Sequence, residues 1–340
     1  MKTYKILCVL ECWFVKIAES EDWSIYKSAW KECMKDYYWY KYDPVFDWNK
    51  NEELDDMESD FGKPGNIFIE AYDEDKIVGV FSFRYRGKQA RLMRWEPTVL
   101  LSSLATEIRK ALLNHALEYL SGKDIERVTV TVKHPANNPD IAEPMFELFK
   151  QFGFNPYQPV SVDLVTHLDN IPSPPTMPEN VSIDLHLGTI PENIGKWCVR
   201  AYGTTPEDLE IHGFDSSVTD EDTAVTAMGS IMQGRLGESP EEFWKVALVD
   251  GEVAGFIGGF IKESKFKPLT GILGPLGVFP EYRRRGIGVY LISELFKSMK
   301  KYGCEYTAVG TPLANANAIR MYEKAGYKMN CHLTFLEKVI

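Results

Sequence analysis

The sequence predicts a mixed α/β protein made of two similar domains in tandem, each with a mixed central sheet flanked by helices. The chain has 340 residues, enough for about two domains. The proline-rich segment Ile171–Asn180 has no hydrophobic period, which is typical of an extended linker. Similar patterns recur on both sides of it at a nearly constant offset, which indicates an internal duplication. We therefore predict domains over residues 1–170 and 181–340, with a linker over residues 171–180.

Each half begins with a strand and helices, followed by a β-hairpin. We predict the opening strands at Trp13–Ile17 and Val181–Leu187. In the second half, Asp250 and Gly251 stand between two apolar runs, and Asp-Gly at such a position is a strong hairpin signal. In the first half, the turn Asp73–Asp75 separates two runs of the same kind.

A long helix, a strand, a short helix and a closing strand end each half. Apolar residues at helical spacing predict the long helices. The predicted bounds are Leu101–Leu120 and Ile287–Tyr302 for the long helices, and Arg127–Val132 and Tyr306–Gly310 for the strands after them. Each short helix ends at a glycine, Gly153 or Gly326, which suits a left-handed cap. These glycines are 173 residues apart, and Gly79 and Gly255 of the two hairpins are 176 apart.

The composition argues against several classes of function. A formal net charge of −11 does not suit general nucleic-acid binding or attachment to anionic membranes, but it is compatible with a cationic acceptor such as an amine. No apolar run reaches the ~20 residues that span a bilayer. The apolar stretch Ile6–Val15 is interrupted by Glu11 and lacks a cleavage site, so it is interpreted as a strand rather than a signal peptide.

Cysteine and histidine usage gives two further predictions. The six cysteines are scattered without a C-x-x-C pair, which favours a reducing compartment, so we expect a cytoplasmic protein. The six histidines have no spacing typical of metal ligands, so no metal site is expected. The sequence does not indicate the oligomeric state.

The most informative segment, Gly271–Leu291, leads a strand through an arginine- and glycine-rich loop into an amphipathic helix. A helix start presents unpaired N–H groups and the positive end of the helix dipole. Gly286 and Gly288 allow close approach of an anion, so the segment is predicted to bind a pyrophosphate. A P-loop is excluded because its Gly-Lys-Ser/Thr sequence is missing, and a dinucleotide-binding turn because Leu291 replaces the third glycine. The alternative is a solvated turn before a core helix.

These residues resemble two signatures of the GNAT superfamily of N-acetyltransferases. The first, R/Q-x-x-G-x-G/A, is matched by Arg283, Gly286 and Gly288. The second, N-x-x-A-x-x-x-Y-x-x-x-G-F/Y, is matched by Asn315, Ala318, Tyr322, Gly326 and Tyr327. The resemblance extends over Val181–Glu337, and the tandem layout is similar to that of the mycothiol synthases.

The resemblance implies that acetyl-CoA is the co-substrate. It implies that the loop amides bind the pyrophosphate and that the strand near Leu276–Val278 splays from the next one to pair with the pantetheine arm. The residues expected to bind acetyl-CoA are Leu276, Gly277, Val278, Arg283, Arg284, Arg285, Gly286, Ile287, Gly288, Val289 and Asn315. Gly274, Pro275 and Gly277 interrupt the strand, which indicates a bulge that frees N–H groups. The Val278 N–H is the predicted donor to the thioester oxygen, and a packing bulge without ligand is the alternative.

Tyr322 is the predicted general acid, since the matching tyrosine of the family protonates the departing thiolate, and a core aromatic is the alternative. Asn315 also fits a helix N-cap. The base that takes the proton of the amine is not identified. Glu263 and the acidic segment Asp215–Asp222 are candidates, although solvated surface is the favoured interpretation of both.

The first half departs from both signatures. Leu100–Ser103 stand where the glycines are expected, and Phe149 stands at the place of the tyrosine. We therefore expect no CoA binding there, but a scaffold or a wall for the acceptor. The aromatic residues that would form this wall, or simply pack, are Tyr37, Tyr38, Trp39, Tyr40, Tyr42, Phe46 and Trp48.

The predicted function is acetyl-CoA-dependent transfer of an acetyl group to a primary amine by direct attack in a ternary complex, with a small-molecule acceptor favoured. One alternative is a peptide or protein N-terminal acetyltransferase, because PEYRRRGIG also resembles the ribosomal-protein acetyltransferases. The other is a non-catalytic acyl-CoA-binding sensor.

Overall fold

The computed structural model describes residues 2–7, 12–35, 37, 45–93, 97–102, 104–177, 179–185 and 193–340. These form two compact units. Unit 1 comprises Met1–Val160 with Cys331–Ile340, and unit 2 comprises Ser161–Asn330. Each unit has a mixed sheet with helices packed on it, which confirms the predicted fold class. The division at residues 170 and 181 stays a prediction. Unit 1 includes part of β15 from the end of the sequence, and unit 2 includes β9, which precedes the predicted linker.

Unit 1 has its strands in the order β1-β2-β3-β4-β5-β7-β15, all antiparallel except for the pair β5/β7. The strands are β1 (Lys2–Leu7), β2 (Cys12–Glu19), β3 (Asn66–Asp73), β4 (Lys76–Arg86), β5 (Gln89–Leu92), β6 (Thr98–Val99), β7 (Arg127–Pro135), β8 (Asn155–Pro156) and β15 (Lys328–Val339). The helices are α1 (Trp23–Met34), α2 (Phe46–Asp60), α3 (Ala105–Ser121) and α4 (Glu143–Gln151).

Unit 2 follows the same plan in the order β10-β11-β12-β13-β14-β9, all antiparallel except for the pair β13/β14. The strands are β9 (Ser161–His167), β10 (Val181–Leu185), β11 (Lys245–Val249), β12 (Glu252–Lys262), β13 (Thr270–Val278) and β14 (Tyr306–Pro312). The helices are α5 (Ile194–Tyr202), α6 (Pro206–His212), α7 (Ser216–Thr219), α8 (Glu221–Met232), α9 (Ile287–Lys301) and α10 (Ala316–Lys324).

Helix α9 covers the centre of the unit 2 sheet. It begins at the predicted residue and ends one residue before the predicted end. Its buried residues Leu291, Ile292, Leu295, Phe296 and Met299 recur at helical spacing and belong to one apolar cluster with β12 and β13. Burial of each of these large side chains stabilises the fold by roughly 1.5–3 kcal/mol. This packing fixes where the N-terminus of α9 lies relative to the end of β13.

The hairpin and cap signals of the sequence are confirmed. Asp250 (φ 51°) and Gly251 (φ 86°) form the turn between β11 and β12 in left-handed conformations. Glu74 (φ 51°) does the same between β3 and β4. Gly153 (φ 81°) and Gly326 (φ 104°) follow the short helices with positive φ, where a side chain is strained.

Two predicted elements differ from the structure. The apolar stretch predicted as one strand instead contributes to two antiparallel strands, β1 and β2, on either side of residues 8–11, which lie outside the described part. Helix α3 begins at Ala105 rather than Leu101, because Leu101 is 59% exposed, whereas Leu104 and Ala105 are buried in the core.

Among the proposed wall residues, Tyr37 and Trp48 are buried, which favours packing over an exposed acceptor surface. The predicted residues Tyr38, Trp39, Tyr40 and Tyr42 lie outside the described residues. In the described part of the chain, no helix is long and apolar enough to cross a bilayer. Nor do three His, Cys, Asp or Glu side chains converge there as metal ligands.

Candidate active site

An open edge of the sheet lies between β13 and β14 in unit 2. The two parallel strands pair only from Thr270 opposite Tyr306 to Ile272 opposite Ala308. Beyond this point β13 continues to Val278 along β12 alone. The predicted splay of the strand near Leu276–Val278 from the next strand is therefore present between β13 and β14, and it leaves a wedge that narrows towards Ile272.

A bulge on β13 lies beside this wedge. Ile257 of β12 pairs with Leu276, whereas Gly259 pairs with Leu273, so two steps on β12 face three on β13. The extra residue falls at Gly274 and Pro275, two of the three residues that predicted a bulge, whereas Gly277 pairs regularly with Phe256.

The peptide groups of Leu276 and Val278 point towards the open edge. The Phe279 N–H donates to the Ala254 carbonyl of β12 at 2.9 Å. Because backbone groups alternate in direction along an antiparallel strand, the N–H and carbonyl of Gly277 also point towards β12, and those of Leu276 and Val278 point away from it. Gly277 is thus not placed to bind a ligand through its polar groups. A Cβ there would lie 2.7 Å from the Ala201 side chain, so this glycine allows α5 to pack on the sheet.

Six consecutive backbone amides lie at the junction between β13 and α9. Arg284 (φ 62°) and Gly286 (φ 83°) are both left-handed, which curves the loop into a concave nest. The N–H groups of residues 284–289 make no hydrogen bond to the described residues. These amides and the N-terminal dipole of α9 suit an anion.

The two loop glycines have different roles. A Cβ on Gly286 would meet open space, so this position needs glycine for its backbone conformation. A Cβ on Gly288 would lie 2.3 Å from the Met321 sulfur, so this position lets α10 pack closely on α9. Ile287 is buried in the core, and Val289 is half-buried.

The arginines of the loop also divide by role. Arg283 points inward: its Nη1 and Nη2 lie 3.0 and 3.1 Å from the two Asp208 oxygens. It also donates to the carbonyls of Ala201 (2.8 Å) and Val278 (3.1 Å). This guanidinium therefore braces α5, α6 and β13 rather than offering charge to a ligand. Arg284 and Arg285 are exposed beside the nest.

Helix α10 brings Tyr322 and Asn315 to the same end of the sheet. Tyr322 is buried, and burial raises its pKa above the ordinary value, so the phenol keeps its proton. Its ring packs edge-on against Tyr327 at 5.7 Å, within the main apolar cluster of unit 2. Asn315 is the N-cap of α10, since its side chain accepts the Ala318 N–H at 3.1 Å.

The structure adds His212, which the sequence did not single out. Because Asn315 Oδ1 faces Ala318, its Nδ2 faces His212 Nε2 at 3.4 Å. An amide nitrogen only donates, so this imidazole nitrogen is placed to accept, an arrangement that favours the neutral ring. Burial lowers the pKa of His212, and the Arg283 charge acts in the same direction, against Asp208 and Asp215. The only sequence signal was a histidine ending a short helix.

Neither predicted position for the base suits that role, because Glu263 lies far from the open edge of β13 and carboxylates of the acidic segment cap helices. Glu263 follows β12 at the end where Lys262 pairs with Thr270, far from the open edge. In the acidic segment, Asp215 accepts the Ser217 N–H, and Asp220 caps α8 at Thr223. These carboxylates stabilise helix starts.

Comparison with known proteins agrees with this geometry. Residues 209–327 match the sequence profile of the acetyltransferase (GNAT) family. The chain is 36% identical over 107 residues to "Acetyltransferase SG1711" of Sodalis glossinidius, covering 32% of this chain and 71% of that protein. It is also 36% identical over 91 residues to an N-alpha-acetyltransferase of Sulfurisphaera tokodaii, covering 24% of this chain and 54% of that protein, so it spans about half of that relative.

Solved structures extend the likeness in fold to nearly the whole chain. A tandem GNAT protein from the clavulanic acid biosynthesis pathway superposes with a TM-score of 0.55 at 15% identity. The superposition covers 96% of this chain and 98% of that one.

Proposed function

The chain belongs to the acetyltransferase (GNAT) family, and from this premise we propose that it transfers an acetyl group from acetyl-CoA to a primary amine. The observation that carries the proposal is the set of six available amides at residues 284–289, next to the open edge of β13. The amides suit a diphosphate, and the open edge suits an extended chain with amide groups. Bound acetyl-CoA would supply the thioester as the acyl donor.

The residues of unit 2 cover the proton transfers of such a reaction. As the C–N bond forms, the amine loses a proton, and neutral His212 is the candidate acceptor in place of the predicted carboxylates. As the C–S bond breaks, the thiolate needs a proton, and Tyr322 holds one in a buried position. The Val278 N–H points to the open edge and is a candidate donor to the thioester or to the pantetheine arm.

A small amine remains the favoured acceptor, in line with the acidic net charge of −11. The second candidate acceptor is a peptide N-terminus, favoured by the name of the Sulfurisphaera tokodaii relative. A sensor that binds acetyl-CoA without turnover is the third possibility.

A thiol-release assay tests these alternatives. The full chain would be mixed with acetyl-CoA and a panel of monoamines, polyamines, amino acids and peptides, with N-blocked peptides as controls. We expect release only with acceptors that carry a free amine. Release with peptides alone would assign the second function. Binding of acetyl-CoA without release across the whole panel would overturn the enzymatic proposal.

A further inference from the structure

Tyr202, the last residue of α5, occupies the open edge of β13. Its hydroxyl accepts the Leu276 N–H at 3.1 Å and donates to the Leu276 carbonyl at 2.5 Å. One oxygen thus satisfies both peptide groups that a neighbouring strand would otherwise pair with. The ring contacts His212 edge-on at 5.1 Å, so the hydroxyl lies in the same cluster as the candidate base.

Leu276 is deeper in the wedge than Val278. The nest at residues 284–289 follows the C-terminal end of β13, and the wedge closes at Ile272. An extended chain that leaves the nest and enters the wedge therefore passes Val278 first and reaches Leu276 next. The reactive end of such a chain lies nearer to Leu276, which moves the expected donor to the thioester oxygen away from Val278.

The Tyr202 hydroxyl is suited to donate a hydrogen bond at that point. Burial raises its pKa well above the ordinary value, and the neighbouring Cys198 and Tyr322 act in the same direction, against the Leu276 bond and Arg283. The phenol therefore remains protonated throughout the neutral range.

Resting on the proposed function, we propose that the Tyr202 hydroxyl and the Leu276 N–H together bind the thioester carbonyl oxygen and stabilise the charge that develops on it. When that oxygen accepts the Leu276 N–H, the hydroxyl moves aside by about 3 Å and donates to it instead of to the Leu276 carbonyl. As the C–N bond forms, the π pair moves onto the oxygen. It returns to form the carbonyl as the C–S bond breaks, and Tyr202 keeps its proton.

The test compares two CoA analogues that need no acceptor. One is acetyl-carba-CoA, a ketone in which a methylene replaces the thioester sulfur. The other is S-ethyl-CoA, which carries an ethyl group in place of the acetyl group and therefore has no carbonyl. We expect Tyr202→Phe to reduce the preference for the ketone by about 2–10-fold, the effect of one neutral hydrogen bond. Affinity for S-ethyl-CoA should not change.

Infrared spectroscopy of the 13C-labelled ketone gives a second measurement. Its carbonyl stretch should lie below the value in water when bound to the wild type and shift upward in Tyr202→Phe. With an acceptor found, kcat should fall by on the order of 10²-fold, with little change in the KM for acetyl-CoA. Tyr302→Phe is the matched control, since it removes another hydroxyl of unit 2, bonded to Glu242 at 2.8 Å, and should change neither readout.

The outcomes separate this inference from the proposed function. If both analogues bind with the same preference and the same stretch in wild type and Tyr202→Phe, the role of Tyr202 is wrong while CoA binding stands. If the variant unfolds, a wild-type stretch at or above the value in water refutes the two-donor site by itself. If neither analogue binds the wild type, both proposals fall.

Discussion

Units 1 and 2 arrange their strands to the same plan but differ in the connection that follows the short parallel pair. In unit 1, β5 pairs with β7 from Gln89 opposite Arg127 to Arg91 opposite Thr129, which matches the three-residue pairing of β13 with β14. Further along the chain, Val99 pairs with Gly79 of β4, as Val278 pairs with Gly255 of β12. The sheet plan alone therefore does not create the anion site.

The connection to the long helix carries the difference. Five residues (100–104) join β6 to α3 in unit 1, whereas eight (279–286) join β13 to α9 in unit 2. Leu104 enters α3 in a right-handed conformation, and Gly286 enters α9 in a left-handed one. Phe149 is fully buried at the position corresponding to Tyr322. We propose that unit 1 is a copy of the fold that has no nest for CoA.

The largest expected effect comes from Gly286→Val. Loss of the left-handed turn misaligns the nest, and the loss of two charge-assisted hydrogen bonds, at roughly 1.5–3 kcal/mol each, lowers CoA affinity by on the order of 10³-fold. Gly303→Val is the matched control, since Gly303 (φ 84°) also has open space around its Cβ position at the other end of α9. Titration calorimetry should show binding kept in the control. Equal binding of CoA by both variants would refute the role of the nest in CoA binding.

The next effect tests the tyrosine that unit 1 lacks. Tyr322→Phe should lower kcat by on the order of 10²-fold with CoA affinity kept, because the departing thiolate loses its proton donor. Tyr327→Phe removes a hydroxyl that bonds Thr307 at 2.8 Å in the same core, and it should leave kcat unchanged. Steady-state kinetics on both variants decide this, and an unchanged kcat in Tyr322→Phe would make this residue a core aromatic.

A smaller effect is expected at His212. Its lowered pKa keeps it neutral at pH 7, so kcat/KM should decline only at a pH below the ordinary histidine pKa, where the ring takes a proton. His212→Gln should lower kcat/KM by about tenfold at pH 7 and remove this acid limb. His167→Gln, on β9 of the same unit, should keep the limb. A limb that persists in His212→Gln would assign the base elsewhere.

The smallest effect on activity, none at pH 7.5, is expected from His134→Gln in unit 1. Burial and the neighbouring His332 lower the pKa of His134 to about 4. The unfolded chain, with a pKa near 6.5, binds more protons, so stability is lost as the pH falls from about 6.5 to 4, by roughly 3 kcal/mol. Urea unfolding at pH 7.5 and 4.5 should show a smaller loss in the variant. Equal losses of stability in the two proteins would mean that protonation of His134 does not cause the loss at low pH.

The sequence predicted the fold and the loop that forms the nest because both depend on local signals. Turn residues, glycine caps and the apolar period of α9 act within a few residues of the chain, and all are found in the structure. Tyr202 and His212 gave no such signal, since their roles arise when α5 and α6 pack beside β13. The inward orientation of Arg283 likewise depends on Asp208, which lies 75 residues away in the chain.

The source of the closing strands has a consequence for biosynthesis. Residues 331–339 of β15 complete the unit 1 sheet beside β7, whereas β9, made much earlier, completes unit 2 beside β14. During translation unit 1 therefore keeps an unpaired strand edge until β15 has left the ribosome. Cleavage at the proline-rich segment would leave the first fragment without β15 and the second without β9, so each would expose a sheet edge prone to aggregation.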